Sequence, residues 1–190
     1  MNFVRKNLLT KVVKFDVNSF RRKKSIREVE MAKCVLMCGL PGSGKTTCAK
    51  KLEERYQAIR LCTDDWHAAL GIDWADDAFH DLLEAQLWRF GKRLLSLGQS
   101  VIFEKGLWLR KERDEKRQEA QEQGFELEFH VFDVPLDELK RRLKVRNESG
   151  NFGSAPISER QLERYAEIFQ LPTEEELALF AHVERHSGND

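Results

Sequence analysis

From residue 34 onward the chain alternates short apolar runs with longer stretches in which apolar residues recur every three or four positions. The runs are "CVLMC" (34–38), "AIRLC" (58–62), "SVIFE" (100–104) and "ELEFHVFDV" (126–134). Short and nearly continuous, they read as strands covered on both faces. Between them Lys45 to Tyr56, residues 75–97, Leu109 to Gln123 and residues 135–146 carry helical spacing. In the second helix Phe79, Leu83, Leu87, Phe90 and Leu94 lie on one stripe, and Gly98 supplies a stop. Strand and helix alternate four times, which predicts an α/β fold with a mainly parallel, doubly wound sheet. "NESGNFGSAP" (147–156) reads as a mobile loop between helices. Thr173, with Glu176 three residues on, caps a last helix, and residues 181–190 are expected to form a flexible tail.

Charge divides the chain unevenly. The totals balance, with 32 basic and 32 acidic residues. Residues 1–30, however, hold nine basic against three acidic residues, a net of +6, and the other 160 hold 23 against 29, a net of −6. Val4, Leu8, Leu9, Val12 and Val13 recur at helical spacing in that basic segment. It reads as a targeting peptide, an accessory helix, or an optional extension ahead of the core at 31–180. No apolar run reaches the roughly 20 residues of a membrane span. Cys34, Cys38, Cys48 and Cys62 form no CxxC pair and have no histidines at zinc-ligand spacing, so buried free thiols in a reducing cytoplasm are expected.

The chemistry begins where the first strand ends. Gly39, Leu40, Pro41, Gly42, Ser43, Gly44, Lys45 and Thr46, followed by Thr47, satisfy G-x-x-x-x-G-K-[ST] between a strand and a helix. Glycines let successive backbone N–H groups turn around phosphate oxygens, and the helix adds its positive end. Lys45 is expected on the β and γ phosphates of ATP and the Thr46 hydroxyl on Mg2+.

Asp64 and Asp65 follow the second strand, at the sheet edge where open α/β folds bind ligands. A carboxylate there can take the proton of an attacking hydroxyl; an aspartate there can also cap the next helix. Asp64 is read as the base and Asp65 as a cap or substrate contact, with the reverse assignment open. Trp66 and His67 face the same cleft or pack the helix. Glu104 ends the third strand and is a second magnesium candidate, with Lys105 beside it as an ion-pair partner. Arg142 and Arg146 lie four apart on one helix and are read as clamps on the transferred phosphate, at the start of a lid covering about 142–157.

Taken together, "GLPGSGKTT", "TDDWH", "VIFEKGLWLRKERD" and "VFDVPLDELKRRLKVRN" resemble the P-loop kinase family of small bacterial ATP-binding proteins. That family is related to polynucleotide 5′-kinase, the chloramphenicol phosphotransferases and zeta-toxin-like kinases. The resemblance covers Lys33 to about Glu176. It implies a P-loop NTPase, nucleoside-kinase-like three-layer sandwich with a helical lid, Asp64 as base, Lys45 and Thr46 on ATP and Mg2+, and Arg142 and Arg146 in the lid. Two positions depart from the pattern. His67 stands where polynucleotide kinase has arginine, and Glu104 where the family usually has aspartate.

The expected activity is transfer of the γ-phosphate of Mg-ATP to a hydroxyl of a small-molecule or nucleotide-like acceptor, in a monomer or weak dimer. Trp66, His67 and Trp108 are expected around the acceptor, with buried packing explaining Trp108 at least as well. Polynucleotide 5′-hydroxyl phosphorylation is the enzymatic alternative, disfavoured by the −6 charge of the core. A nucleotide-dependent switch that hydrolyses ATP is the alternative of another class.

Overall fold

A computed structural model describes residues 31–73, 76–149 and 156–188. The basic extension 1–30 and the centre of the glycine- and serine-rich loop, 150–155, lie outside the described residues. In chain order the elements are β1 (Lys33–Cys38), α1 (Lys45–Tyr56), β2 (Ile59–Cys62), α2 (Thr63–Leu70), α3 (Asp77–Ser96), β3 (Val101–Glu104), α4 (Arg110–Glu122), β4 (Glu126–Phe132), α5 (Leu136–Glu148), α6 (Glu159–Ile168), α7 (Glu174–Leu177) and β5 (His182–His186). All strand pairs are parallel, in the order β2-β3-β1-β4-β5. Central β1 thus delivers its carboxyl end to the middle of the sheet edge, where a ligand can be reached from both sides.

Period-2 alternation explains why the β1 run is apolar throughout. Cys34, Leu36 and Cys38 join a core with Phe103, Leu87 and Trp88 on the α3 side. Val35 and Met37 join Ile102, Ala49 and Leu52 on the α1 side. Helices therefore cover both faces, the α/β arrangement of a three-layer sandwich. A third cluster, including Leu40, Leu139, Leu143 and Leu162, packs α5 and α6 beside the turn that follows β1.

One sequence expectation is corrected. Residues 182–186, placed in a flexible tail, form β5, in register with β4 from Glu128↔His182 to Phe132↔His186. The segment "HVERH" has no apolar run because it is the outermost strand and largely exposed. Its charged side chains also discourage further strand addition at that edge. α7 is capped as expected, Thr173 Oγ1 accepting from the Glu176 N–H at 3.3 Å. The Glu176 side chain instead turns inward to Arg113, and both are only 1% exposed. Among the described residues no helix is long and apolar enough to cross a membrane.

Candidate active site

The turn between β1 and α1 is built for close backbone approach. Gly42 (φ +81°) and Gly44 (φ +102°) occupy the left-handed region, which side chains resist. A Cβ on Gly42 would also press on Leu143 Cγ at 3.1 Å, so α5 sets the limit on the loop's far side. Trp108 supports the loop from the other side, its indole N–H donating to Gly39 O at 3.2 Å while its ring packs on Tyr165. Trp108 thus braces the phosphate loop, in keeping with the packing read for it as the alternative to an acceptor wall. Lys45 Nζ donates to Gly39 O at 2.9 Å and Leu40 O at 2.8 Å, so the ammonium lies across the loop. Burial pushes its pKa down to about 8.

Thr46 and Glu104 meet although they arrive on different elements. The Thr46 hydroxyl donates to Glu104 Oε1, and Arg60 Nη1 donates to Oε2. Parallel pairing of β1 with β3 sets the carboxyl end of β3 beside the loop that leaves β1. A hydroxyl and a carboxylate are hard oxygen donors, the kind magnesium takes, so these residues fit that ion. Lys105, next along, pairs with Glu84 at 2.5 Å and Glu112 at 2.9 Å and so braces the strand end.

Asp64 and Asp65 both lie in the first turn of α2, yet neither caps it: the cap position is Cys62, with no side-chain cap bond. Asp65 pairs with Arg60 instead and is exposed. Asp64 is partly buried, and burial, followed by the nearby Glu104 charge, raises its pKa against the opposing pull of His80 and Lys45. Arg60 was invisible as a site residue in the sequence. Its one available signal is a charge inside an otherwise apolar strand, and here it bridges Glu104 and Asp65.

His67 is 1% exposed, edge-on to Phe79, with its Nε2 3.3 Å from His80 Nδ1. It therefore packs α2 against α3, while Trp66 is 42% exposed. Arg142 and Arg146 also part company. Arg142 donates to Glu138 Oε1 at 2.7 Å and to Gly188 O, so it fastens α5 to the segment after β5. Arg146 is half-buried; burial lowers its pKa, and the Asp64 charge acts in the opposite direction. It also contributes to the electrostatics of Lys45. A pocket with a floor of Leu61, Leu87, Trp88 and Phe103 has Glu104 and Lys105 in its wall.

The family described as an AAA domain matches residues 34–172. No curated protein matches the chain by sequence. Among solved structures, a kinase candidate from Chloroflexus aurantiacus J-10-fl is similar at TM-score 0.66 and 19% identity, over 83% of this chain and 89% of that one. Kti12 of Chaetomium thermophilum, solved with ADP-AlF3, is similar at TM-score 0.64 and 18% identity, over 82% and 89%. The APS kinase CysC of Mycobacterium tuberculosis, solved with AMPPNP and APS, gives TM-score 0.53 and 20% identity, over 82% and 88%. At these identities the likeness is one of fold.

Proposed function

The chain belongs to the AAA domain family, with the fold of P-loop kinases, and from that membership we propose that it moves the γ-phosphate of ATP to a hydroxyl of a small-molecule or nucleotide-like acceptor. The observation that carries this reading is Asp64. Its carboxylate sits partly buried just past the carboxyl end of β2, and its charge acts together with those of Lys45, Glu104 and Arg146. Hydrolysis needs only a positioned water, whereas a raised-pKa carboxylate beside the phosphate loop is suited to accept a proton from an alcohol.

In this reading the loop 39–46 binds the phosphates of ATP through its backbone N–H groups and the end of α1. Lys45 leaves its carbonyl partners for the β and γ oxygens. Thr46 and Glu104 would hold magnesium, which when bound neutralises charge on the phosphates. Asp64 orients the acceptor hydroxyl and takes its proton as the oxygen–phosphorus bond forms, and ADP departs. Arg146 offsets negative charge on the phosphoryl group in flight.

The test follows labelled γ-phosphate from ATP with wild type and Asp64→Asn, across nucleosides, sugars, aminoglycosides and 5′-hydroxyl oligonucleotides. A labelled product that Asp64→Asn fails to make, with ATP binding retained, supports the reading and identifies the acceptor class. Label appearing only on oligonucleotides would reassign the acceptor to nucleic acid. Free phosphate released equally by both proteins, with no labelled product, would overturn the kinase reading in favour of a switch.

A further inference from the structure

On the α1 face of the sheet three potential ligand atoms converge. Cys48 Sγ lies 3.8 Å from His130 Nδ1 and 4.0 Å from His186 Nε2, and the two nitrogens are 3.0 Å apart. A tetrahedral zinc ion with bonds of about 2.0 Å to nitrogen and 2.3 Å to sulfur sets nitrogens about 3.3 Å apart and sulfur about 3.5 Å from each. Each side of the triangle found is within about half an ångström of that one. Each corner comes from a different element: Cys48 from α1, His130 from β4, and His186 from the end of β5.

We propose that Cys48, His130 and His186 form a three-ligand site for a divalent cation of the zinc class, with a fourth position open to solvent.

The surroundings are those of a ligand set. His130 Nε2 is 2.8 Å from Glu128 Oε1, an acceptor that favours a ring proton on Nε2, and Nδ1 faces Cys48 and His186. A carboxylate behind a ligating histidine in this way fixes the tautomer and raises the basicity of the ring. Glu128 is itself held by Tyr56, whose hydroxyl lies 3.0 Å from both carboxylate oxygens, and by Lys33 at 3.6 Å. The His186 ring stacks on Phe132 and on His130, with centroids at 4.2 and 5.3 Å, which restrains its orientation.

Sulfur and imidazole favour zinc-like ions over magnesium. The thiol surrenders its proton to solvent as the sulfur–metal bond forms, both imidazoles bind as neutral donors, and no redox change accompanies binding. The thiolate and Glu128 together balance the dication. His130 is buried, while Cys48 and His186 are half-buried, which leaves a route for the ion and for a water on the fourth position. The Cys48 N–H bonds to Gly44 O at 3.0 Å, so an ion here would tie the first turn of the phosphate-loop helix to the edge strand. The inference does not depend on the phosphotransfer reading.

Untagged full-length chain is the right material, because residues 1–30 contain neither cysteine nor histidine. It would be loaded with Zn2+, passed through gel filtration, and assayed for metal and for affinity against a chromogenic chelator. Wild type is expected to retain one zinc per chain. Cys48→Ser and His186→Gln should each weaken binding at least tenfold, and Glu128→Gln by about 10- to 100-fold. His182→Gln, an exposed position on the same strand, should bind as wild type does. Cobalt(II) gives a second readout, since the sulfur-to-metal absorption of the wild type should vanish in Cys48→Ser. Circular dichroism of the metal-free variants checks that they fold. Absence of zinc from wild type, unchanged affinity in both ligand variants, or loss of zinc in His182→Gln would each overturn the proposal.

Discussion

Thr46, at the start of α1, donates its hydroxyl hydrogen to Glu104 at the end of β3, 58 residues further along the chain. The contact exists because β1 and β3 are parallel neighbours, so the residues that follow or end them share one edge of the sheet. It places two oxygen donors beside the phosphate loop, and Arg60 holds the second carboxylate oxygen from β2. Glutamate, one methylene longer than aspartate, spans to Thr46 and Arg60 at once.

Replacing Glu104 by Gln keeps the shape and removes the charge. Nucleotide binding without magnesium should change less than about threefold, because the loop is intact, while magnesium-dependent turnover should fall roughly 100-fold or more. Binding of a fluorescent ATP analogue with EDTA, set against turnover across a magnesium titration, separates the two effects. Equal turnover at saturating magnesium would show that the carboxylate serves Arg60 alone.

The two arginines of α5 should behave differently. Arg142 is committed to Glu138 and Gly188, so Arg142→Ala is expected to loosen the segment after β5 and lower stability by about 1–2 kcal/mol, with turnover at 25 °C kept within about threefold. Arg146→Ala should lower turnover by roughly 100-fold or more. Thermal melts and phosphate-transfer rates on both variants check the split. The opposite pattern would return Arg142 to the site.

What could be read from the sequence tracks how local each signal was. β1 to β4 were legible because strands buried on both faces must be apolar throughout, and the phosphate loop because its glycines lie a fixed few residues from Lys45. β5 was not: "HVERH" becomes a strand only by pairing with β4. Arg113, in a strongly charged helix, is fully buried because Glu176 from α7 meets it. Helical spacing put Arg142 and Arg146 on one face but could not say that Gly188 would claim the first. All four cysteines are free thiols, and Cys34, Cys38 and Cys62 are buried as expected, but the surroundings of the half-buried Cys48 were not legible. Zinc motifs are recognised by short spacing, whereas Cys48 reaches histidines 82 and 138 residues away.

The Arg113–Glu176 pair joins α4 to α7, with contacts of 2.5 and 2.9 Å and further bonds from Arg113 to the carbonyls of Leu107 and Trp108. Glu176→Ala strands a buried guanidinium and should cost about 3–5 kcal/mol, some 10 °C of melting temperature for a domain of this size. Arg113→Met with Glu176→Leu should recover much of that loss, since removing both charges removes the stranded one. Urea melts of the single and double variants test this. A double variant as unstable as the single would mean that the carbonyl bonds to Leu107 and Trp108 dominate.

Lys45 links the site to pH. Burial lowers its pKa from an ordinary 10.5 to about 8, so in the free protein the ammonium loses its proton as pH rises through about 8. Phosphate oxygens stabilise the cation, so the nucleotide complex should hold that proton to higher pH. The sign follows: below about pH 7 both states are protonated and binding takes up little, whereas at about pH 9 binding must draw close to one proton from solvent. Apparent ATP affinity should therefore decline above about pH 8, by up to tenfold per pH unit. Calorimetric titration with ATP at about pH 9, in buffers of different ionisation enthalpy, measures the uptake directly, since ATP is fully deprotonated there. Lys45→Arg, which stays charged, should abolish the uptake even if it binds more weakly. An uptake that persists in that variant would assign the proton to another group of the site, with Asp64 the next to examine.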